Sequence, residues 1–106
     1  MTKFGLVSFG VAAFAASTIA FAQSGDDLIK KYGCVACHSV DKKVVGPAYQ
    51  EVAAKYKGNA QAPALLAKKI KDGGSGVWGQ VPMPPNPTVT DADMKTIVTF
   101  ILGLKK

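Results

Sequence analysis

The chain has 106 residues, enough for one small domain, and its formal net charge at pH 7 is +6. All thirteen cationic residues are lysines, whereas a nucleic-acid-binding protein is expected to use arginine for bidentate contacts with phosphates and bases. The composition therefore argues against nucleic-acid binding. It leaves two interpretations of the lysines, a merely solvated surface or a surface that meets an acidic partner.

The N-terminal segment, residues 1–22, has the pattern of a secretory signal peptide. Lys3 supplies a positive charge, residues 4–21 are almost wholly apolar or small, and Ala20-Phe21-Ala22 forms a small-x-small cleavage site. An uncleaved membrane anchor is the alternative, because the apolar run approaches the roughly 20 residues that cross a bilayer. The cleavage site favours export to the periplasm, a single mature domain at residues 23–106 and no stable membrane insertion.

Four helices and no strand are predicted for the mature chain. Asp26-Asp27 place acids in the first turn of a short helix that Gly33 ends. A second helix is predicted over residues 48–56, and a third begins near Pro63 and is broken by the glycines that start at Gly73. The apolar positions of this third helix are Leu65, Leu66 and Ile70.

The C-terminal part of the chain combines a long loop with the strongest helical pattern. Residues 73–90 contain four glycines and four prolines, which predict an ordered loop without helix. Thr90 is predicted to cap the last helix, with acidic residues in the first turn. The apolar residues of that helix recur at helical spacing and predict a buried stripe of Met94, Ile97, Val98, Ile101 and Leu102.

Residues 33–38, GCVACH, contain both cysteines and the only histidine of the chain. A thioredoxin-like dithiol would need the motif in an α/β pattern, which is absent. A structural zinc ion needs four ligands, whereas Cys34, Cys37 and His38 are three, so a zinc site would have to be shared between two chains. Cysteines three residues apart lie on one face of a helical turn, where two thiols can add to two vinyl groups of one porphyrin. The Cys-x-x-Cys-His spacing therefore predicts one covalently attached haem c, with His38 as a ligand of its iron.

The ligand on the other side of the iron decides between two functions. A sixth protein ligand would favour electron transfer, whereas an open site would bind oxygen, peroxide or nitric oxide. Met83 and Met94 are the thioether candidates in the mature chain, and Met94 is predicted to fill the core because it lies on the apolar stripe. Met83 lies in the segment VPMPPNP, whose prolines lower the entropy of the unligated loop. Met83 is therefore predicted to be the distal ligand.

Three segments carry a resemblance to a known family: GCVACHSVDKKVVGPAYQEVAAKY, KIKDGGSGVWGQVPMPPNPTVTDADM and the final helix. The mature chain resembles the class I cytochromes c, and specifically the short bacterial cytochrome c-551/c-552 group. The resemblance implies an all-α fold of about four short helices around one covalently attached haem, with a proline-rich distal loop. It also implies that the Pro47 carbonyl accepts a hydrogen bond from His38, that Trp78 donates to a haem propionate and that Asn86 hydrogen-bonds near the Met83 sulfur.

The function implied by this resemblance is that of a periplasmic one-electron carrier, which is a monomer and not an enzyme. Its partners would be redox proteins with acidic docking surfaces, such as a nitrite reductase, a terminal oxidase or a cytochrome complex. Lys69 departs from the arginine found near a propionate in relatives, and a lysine offers a point charge rather than a planar fork. The alternative function is that of a ligand-binding or peroxidatic haem protein with an open distal site.

Overall fold

The computed structural model describes residues 23–105, together with Gly5 and Gly10. Four α-helices follow one another along the described chain: α1 (Gly25–Lys31), α2 (Tyr49–Lys55), α3 (Ala62–Asp72) and α4 (Asp91–Leu102). A single 3-10 turn covers Cys34–Ala36, and no strand forms in the described residues beyond two isolated bridges. The predicted all-α fold is confirmed. The predicted signal peptide lies outside the described residues, apart from the two glycines.

Helices α1 and α4 begin with side-chain caps. The Thr90 hydroxyl accepts a hydrogen bond from the Asp93 amide at 3.2 Å, as the sequence predicts, and the Ser24 hydroxyl does the same for Asp27 at 3.2 Å. Each cap is followed by acidic residues in the first helical turn, where they interact favourably with the helix dipole. None of the described helices has the length and apolar character needed to span a bilayer.

Helix α4 is the centre of the fold, because it packs against α1, α2 and α3. Met94 is 7% exposed on its buried stripe, so the prediction that this methionine belongs to the core is confirmed. In α3 the buried residues are Ala62, Leu66 and Ile70, whereas Leu65 is 45% exposed. The prediction that Leu65 belongs to the apolar face is therefore wrong: positions 62, 66 and 70 define the face, and position 65 lies at its margin.

The first and last helices approach each other closely. A Cβ added at Gly25 would overlap the Phe100 side chain, so only glycine fits at this crossing. The Tyr32 hydroxyl, just beyond α1, donates a hydrogen bond of 2.5 Å to the Asp93 carboxylate on α4. The Lys31 ammonium lies 3.8 Å from the same carboxylate. These contacts fix the end of α1, and hence the place where residues 33–38 begin.

Candidate haem site

An open cleft of about 720 Å³ lies beside α4, and every helix except α1 contributes to its walls. Five of the seven predicted site residues line the cleft, whereas Cys37 and Asn86 do not; the five are Cys34, His38, Pro47, Trp78 and Met83. The apolar part of the lining includes Val52, Leu66, Ile70, Val77, Ile97 and Ile101.

The two cysteines lie at the ends of one tight turn. Gly33 precedes the turn in the left-handed region at φ 73°, and the Cys34 carbonyl accepts the amides of Cys37 and His38 at 3.1 and 3.0 Å. Both thiols are half-buried, and Cys34 lines the cleft. Burial raises the pKa of the Cys34 thiol, and a hydrogen bond with Tyr49 acts in the opposite direction.

The His38 imidazole is held by three neighbouring groups. Its Nδ1 lies 2.8 Å from the Pro47 carbonyl oxygen, so Nδ1 carries the proton and Nε2 keeps its lone pair. The Tyr49 ring stacks on the imidazole at a centroid distance of 5.0 Å and an angle of 19°. A Cβ at Gly46 would lie 2.9 Å from Nδ1 and 3.0 Å from Nε2, so the ring fills the space of a side chain there. These contacts fix the orientation of the ring.

The Met83 side chain is held through its main chain. Its amide donates to the Gly74 carbonyl at 2.9 Å, and the Gly74 amide donates to the Met83 carbonyl at 3.0 Å. Asn86 adds a second link, because its main-chain amide donates to the Ile70 carbonyl at 3.0 Å. The side-chain Nδ2 of Asn86 donates to the carbonyls of Ile70 and Pro84 at 3.3 and 3.2 Å. The loop is thereby bound to the C-terminal end of α3.

Trp78 and Lys69 bring polar groups to the same cleft. Trp78 is 39% exposed, and the Lys55 ammonium lies 5.3 Å from the centroid of its indole ring. Lys69 is half-buried, and among the described residues it is the one charged side chain that lines the cleft. The lining is thus apolar except for a cation and a few donors.

Comparison with known proteins decides the family. The model of the cytochrome c family matches residues 22–105. The chain belongs to this family. It is 55% identical over 95 residues to cytochrome c-552 of Nitrosomonas europaea, which covers 87% of this chain and 92% of the relative. It is 51% identical over 86 residues to cytochrome c-551 of Pseudomonas aeruginosa, which covers 81% of this chain and 82% of the relative.

The fold agrees with these relationships. The crystal structure of wild-type Nitrosomonas europaea cytochrome c552 matches with a TM-score of 0.73 and 57% sequence identity, over 76% of this chain and 99% of that one. The protein is therefore a class I cytochrome c of the c-551/c-552 group, and it carries one covalently attached haem c with its iron.

The residues of this cytochrome fit such a group. The walls are apolar, an imidazole and a thioether lie in the same cleft, and the nearby turn presents two thiols. Within the described part of the chain, no three histidine, cysteine or acidic side chains are grouped so that they could hold a metal ion.

Three residues of the site were not assigned a role by the sequence. Gly46 and Tyr49 contact the His38 ring, and Gly74 pairs with Met83. Tyr49 and Gly46 belong to the segment VGPAY. This segment indicated the family, but it did not predict that either residue would contact the imidazole. Gly74 could be predicted only as a helix breaker, because the sequence does not show which distant backbone it meets.

Proposed function

We propose that this cytochrome is a periplasmic one-electron carrier in which Cys34 and Cys37 attach the haem, and His38 and Met83 are the axial ligands. The family is one of electron carriers, and the bound haem supplies a one-electron couple between Fe(III) and Fe(II). The observation that carries the proposal is that the side chains of His38 and Met83 line one cleft, whereas Met94 is buried in the core.

The proximal residues prepare the nitrogen ligand. The Pro47 carbonyl accepts a hydrogen bond from His38 Nδ1–H, which leaves Nε2 available to the iron. The Tyr49 ring keeps the imidazole from turning. Burial raises the pKa of the Tyr49 hydroxyl above its usual value, so this group stays neutral beside the cleft. The chain thus presents an imidazole of fixed orientation, with Nδ1 bonded to Pro47.

The distal residues favour the reduced state. A thioether is a neutral, weak ligand that raises the potential of a cytochrome c, and Met83 would supply it. The apolar walls act in the same direction, because the ferric state carries the larger charge and is costlier to bury. Asn86 contributes by holding the Met83 loop on α3, since both of its side-chain donor contacts go to main-chain carbonyls.

The cations and donors beside the cleft suit the propionates of a haem. The Trp78 indole N–H is the proposed donor to one propionate, and the Lys55 ammonium over its outer face supports the ring. Lys69 is proposed as a point-charge partner for a carboxylate, which is the part that the arginine of relatives would play with a planar fork.

Export and partner binding complete the proposal. Cleavage after Ala22 would release a monomeric domain of residues 23–106 into the periplasm. Its excess of lysines suits redox partners with acidic docking surfaces, such as a nitrite reductase, a terminal oxidase or a cytochrome complex. Electron-transfer rates to an acidic partner should fall as salt is raised, because the Debye length is about 8 Å at physiological ionic strength.

Carbon monoxide distinguishes the carrier from a ligand-binding haem protein. The ferrous wild-type protein at neutral pH should not bind carbon monoxide, because Met83 occupies the distal position. The ferric protein should show the weak red-edge absorption of an iron–thioether bond. Ready binding of carbon monoxide together with absence of that absorption would establish the open-site alternative instead.

A further inference from the structure

The C-terminal end of α3 and the Met83 loop approach each other more closely than any side chain would allow. Gly73 ends α3 with φ 70° and ψ −155°. A Cβ at this position would overlap the Met83 carbonyl oxygen and would lie 2.8 Å from the Pro85 nitrogen and 2.9 Å from the Pro84 carbonyl carbon. All three atoms belong to the main chain, so no side chain can turn aside to make room.

The close approach allows the main chain after α3 to pair with the main chain of the Met83 loop. The Gly73 amide donates to the Lys69 carbonyl at 2.8 Å and completes the last turn of α3. The next residue, Gly74, exchanges two hydrogen bonds with Met83, at 3.0 and 2.9 Å. Both polar main-chain groups of Met83 are therefore satisfied by the residue that follows Gly73. A shift of the loop away from α3 would break this pair.

We propose that Gly73 is a positioning residue for the Met83 ligand. The missing side chain at position 73 lets the end of α3 hold the Met83 main chain at the place from which its side chain enters the cleft. A thioether is a weak ligand, so the bond depends on a loop that is already in position before iron is bound. The inference rests on the proposed ligation of the iron by His38 and Met83. It assigns to Gly73 the role of keeping the weaker ligand, Met83, in position.

A matched control separates ligand placement from the ordinary cost of replacing a glycine. Gly58 also has a positive φ, 78°, but a Cβ there would meet nothing within 4 Å. Replacement of either glycine by alanine strains the backbone. Only the replacement at position 73 also pushes against the Met83 loop. A difference in iron ligation between the two variants is therefore due to the position of Gly73 against the Met83 loop, through the overlap and through a ψ of −155° that only glycine adopts readily.

The experiment compares full-length holoproteins of the wild type, Gly73→Ala, Gly58→Ala and Met83→Ala. Gly73→Ala should lose most of the ferric iron–thioether absorption, and its ferrous form should bind carbon monoxide at least tenfold more tightly than the wild type. Gly58→Ala should match the wild type in both measurements. If Gly73→Ala keeps the absorption and excludes carbon monoxide, the proposal is wrong. If Met83→Ala keeps the absorption, the axial assignment itself is wrong, which is a separate outcome.

A second pair of variants tests the proposal when Gly73→Ala is obtained only in low yield. Pro85→Ala removes a ring from the crowded segment and lets the loop move, so Gly73→Ala in this background is compared with Pro85→Ala alone. The double variant should lose the thioether absorption that the single variant keeps. Retention in both would overturn the proposal. Failure to recover either variant with Gly73→Ala, while Gly58→Ala is recovered, would also overturn it, because Gly73 would then serve folding rather than ligand placement.

Discussion

The two sides of the cleft hold their candidate iron ligands in different ways. On the proximal side, residues 33–49 form one continuous segment, in which the main-chain carbonyl of Pro47 and the ring of Tyr49 fix the His38 ring. On the distal side, the Met83 main chain is paired with Gly74, and the contact depends on the end of α3. A strong nitrogen ligand is thus oriented locally, whereas a weak thioether is placed by a non-local backbone pairing. The proximal side should therefore tolerate distortion better than the distal side.

The largest effect is expected from removal of the attachment points on the proximal side. Cys34→Ser combined with Cys37→Ser should abolish covalent haem and cooperative unfolding, because a domain of this size cannot build a sufficient core without the group that the apolar cleft encloses. Mass spectrometry and thermal unfolding followed by circular dichroism measure the two effects. Sharp unfolding of the haem-free variant would show that the core does not need the group.

Removal of the distal ligand should change the iron more than the fold. Met83→Ala should lower the midpoint potential, abolish the ferric thioether absorption and allow ferrous carbon monoxide binding. Met94→Leu is the control, since Met94 is a core residue; it should keep all three properties and cost less than about 1.5 kcal/mol. Loss of the absorption in Met94→Leu and its retention in Met83→Ala would reverse the assignment of the two methionines.

Crowding of the proximal ring should cost stability without breaking ligation. Gly46→Ala pushes against the His38 imidazole, and overpacking of this kind costs about 1–3 kcal/mol in the free energy of unfolding. Gly103→Ala is the milder comparison, because a Cβ there would lie 3.2 Å from the Thr99 carbonyl oxygen, which a small shift relieves. Denaturant unfolding and the ferric spectrum provide the measurements. Loss of histidine ligation in Gly46→Ala would contradict the greater tolerance expected of the proximal side.

The smallest effect concerns the ring that stacks on the imidazole. Tyr49→Phe keeps the stacked ring, whereas Tyr49→Leu removes it, and an aromatic pair contributes about 0.5–1.5 kcal/mol beyond its buried area. Tyr49→Leu should therefore be less stable than Tyr49→Phe by about that amount in denaturant unfolding. Equal stability of the two variants would mean that the contribution of Tyr49 to stability comes from burial and not from stacking.

Local patterns predicted most of the helical framework. The cap at Thr90 and the stripe that begins at Met94 are encoded within a few residues. The cap is confirmed, and so is the stripe as far as Ile101, whereas Leu102 is only half-buried. Leu65 was misassigned because it fits part of the helical spacing of the buried residues although its side chain is exposed, unlike that of its neighbour Leu66. The motif and the proline-rich segment led to His38 and Met83 as ligand candidates, which stay predictions. The pairing of Gly74 with Met83 could not be predicted, since sequence periodicity carries no information about which distant main chains pair.

The crossing of α1 and α4 also constrains the order in which the chain can fold during synthesis. Gly25 lies against Phe100, so the first helix meets its partner only after nearly the whole chain has left the ribosome. Contacts between such distant residues require the intervening chain to be closed into a loop, which has an entropic cost. Residues 33–38 follow α1 directly and lie within that loop. A chain that ends before α4 would therefore contain both thiols but lack the helix that packs against α1, α2 and α3.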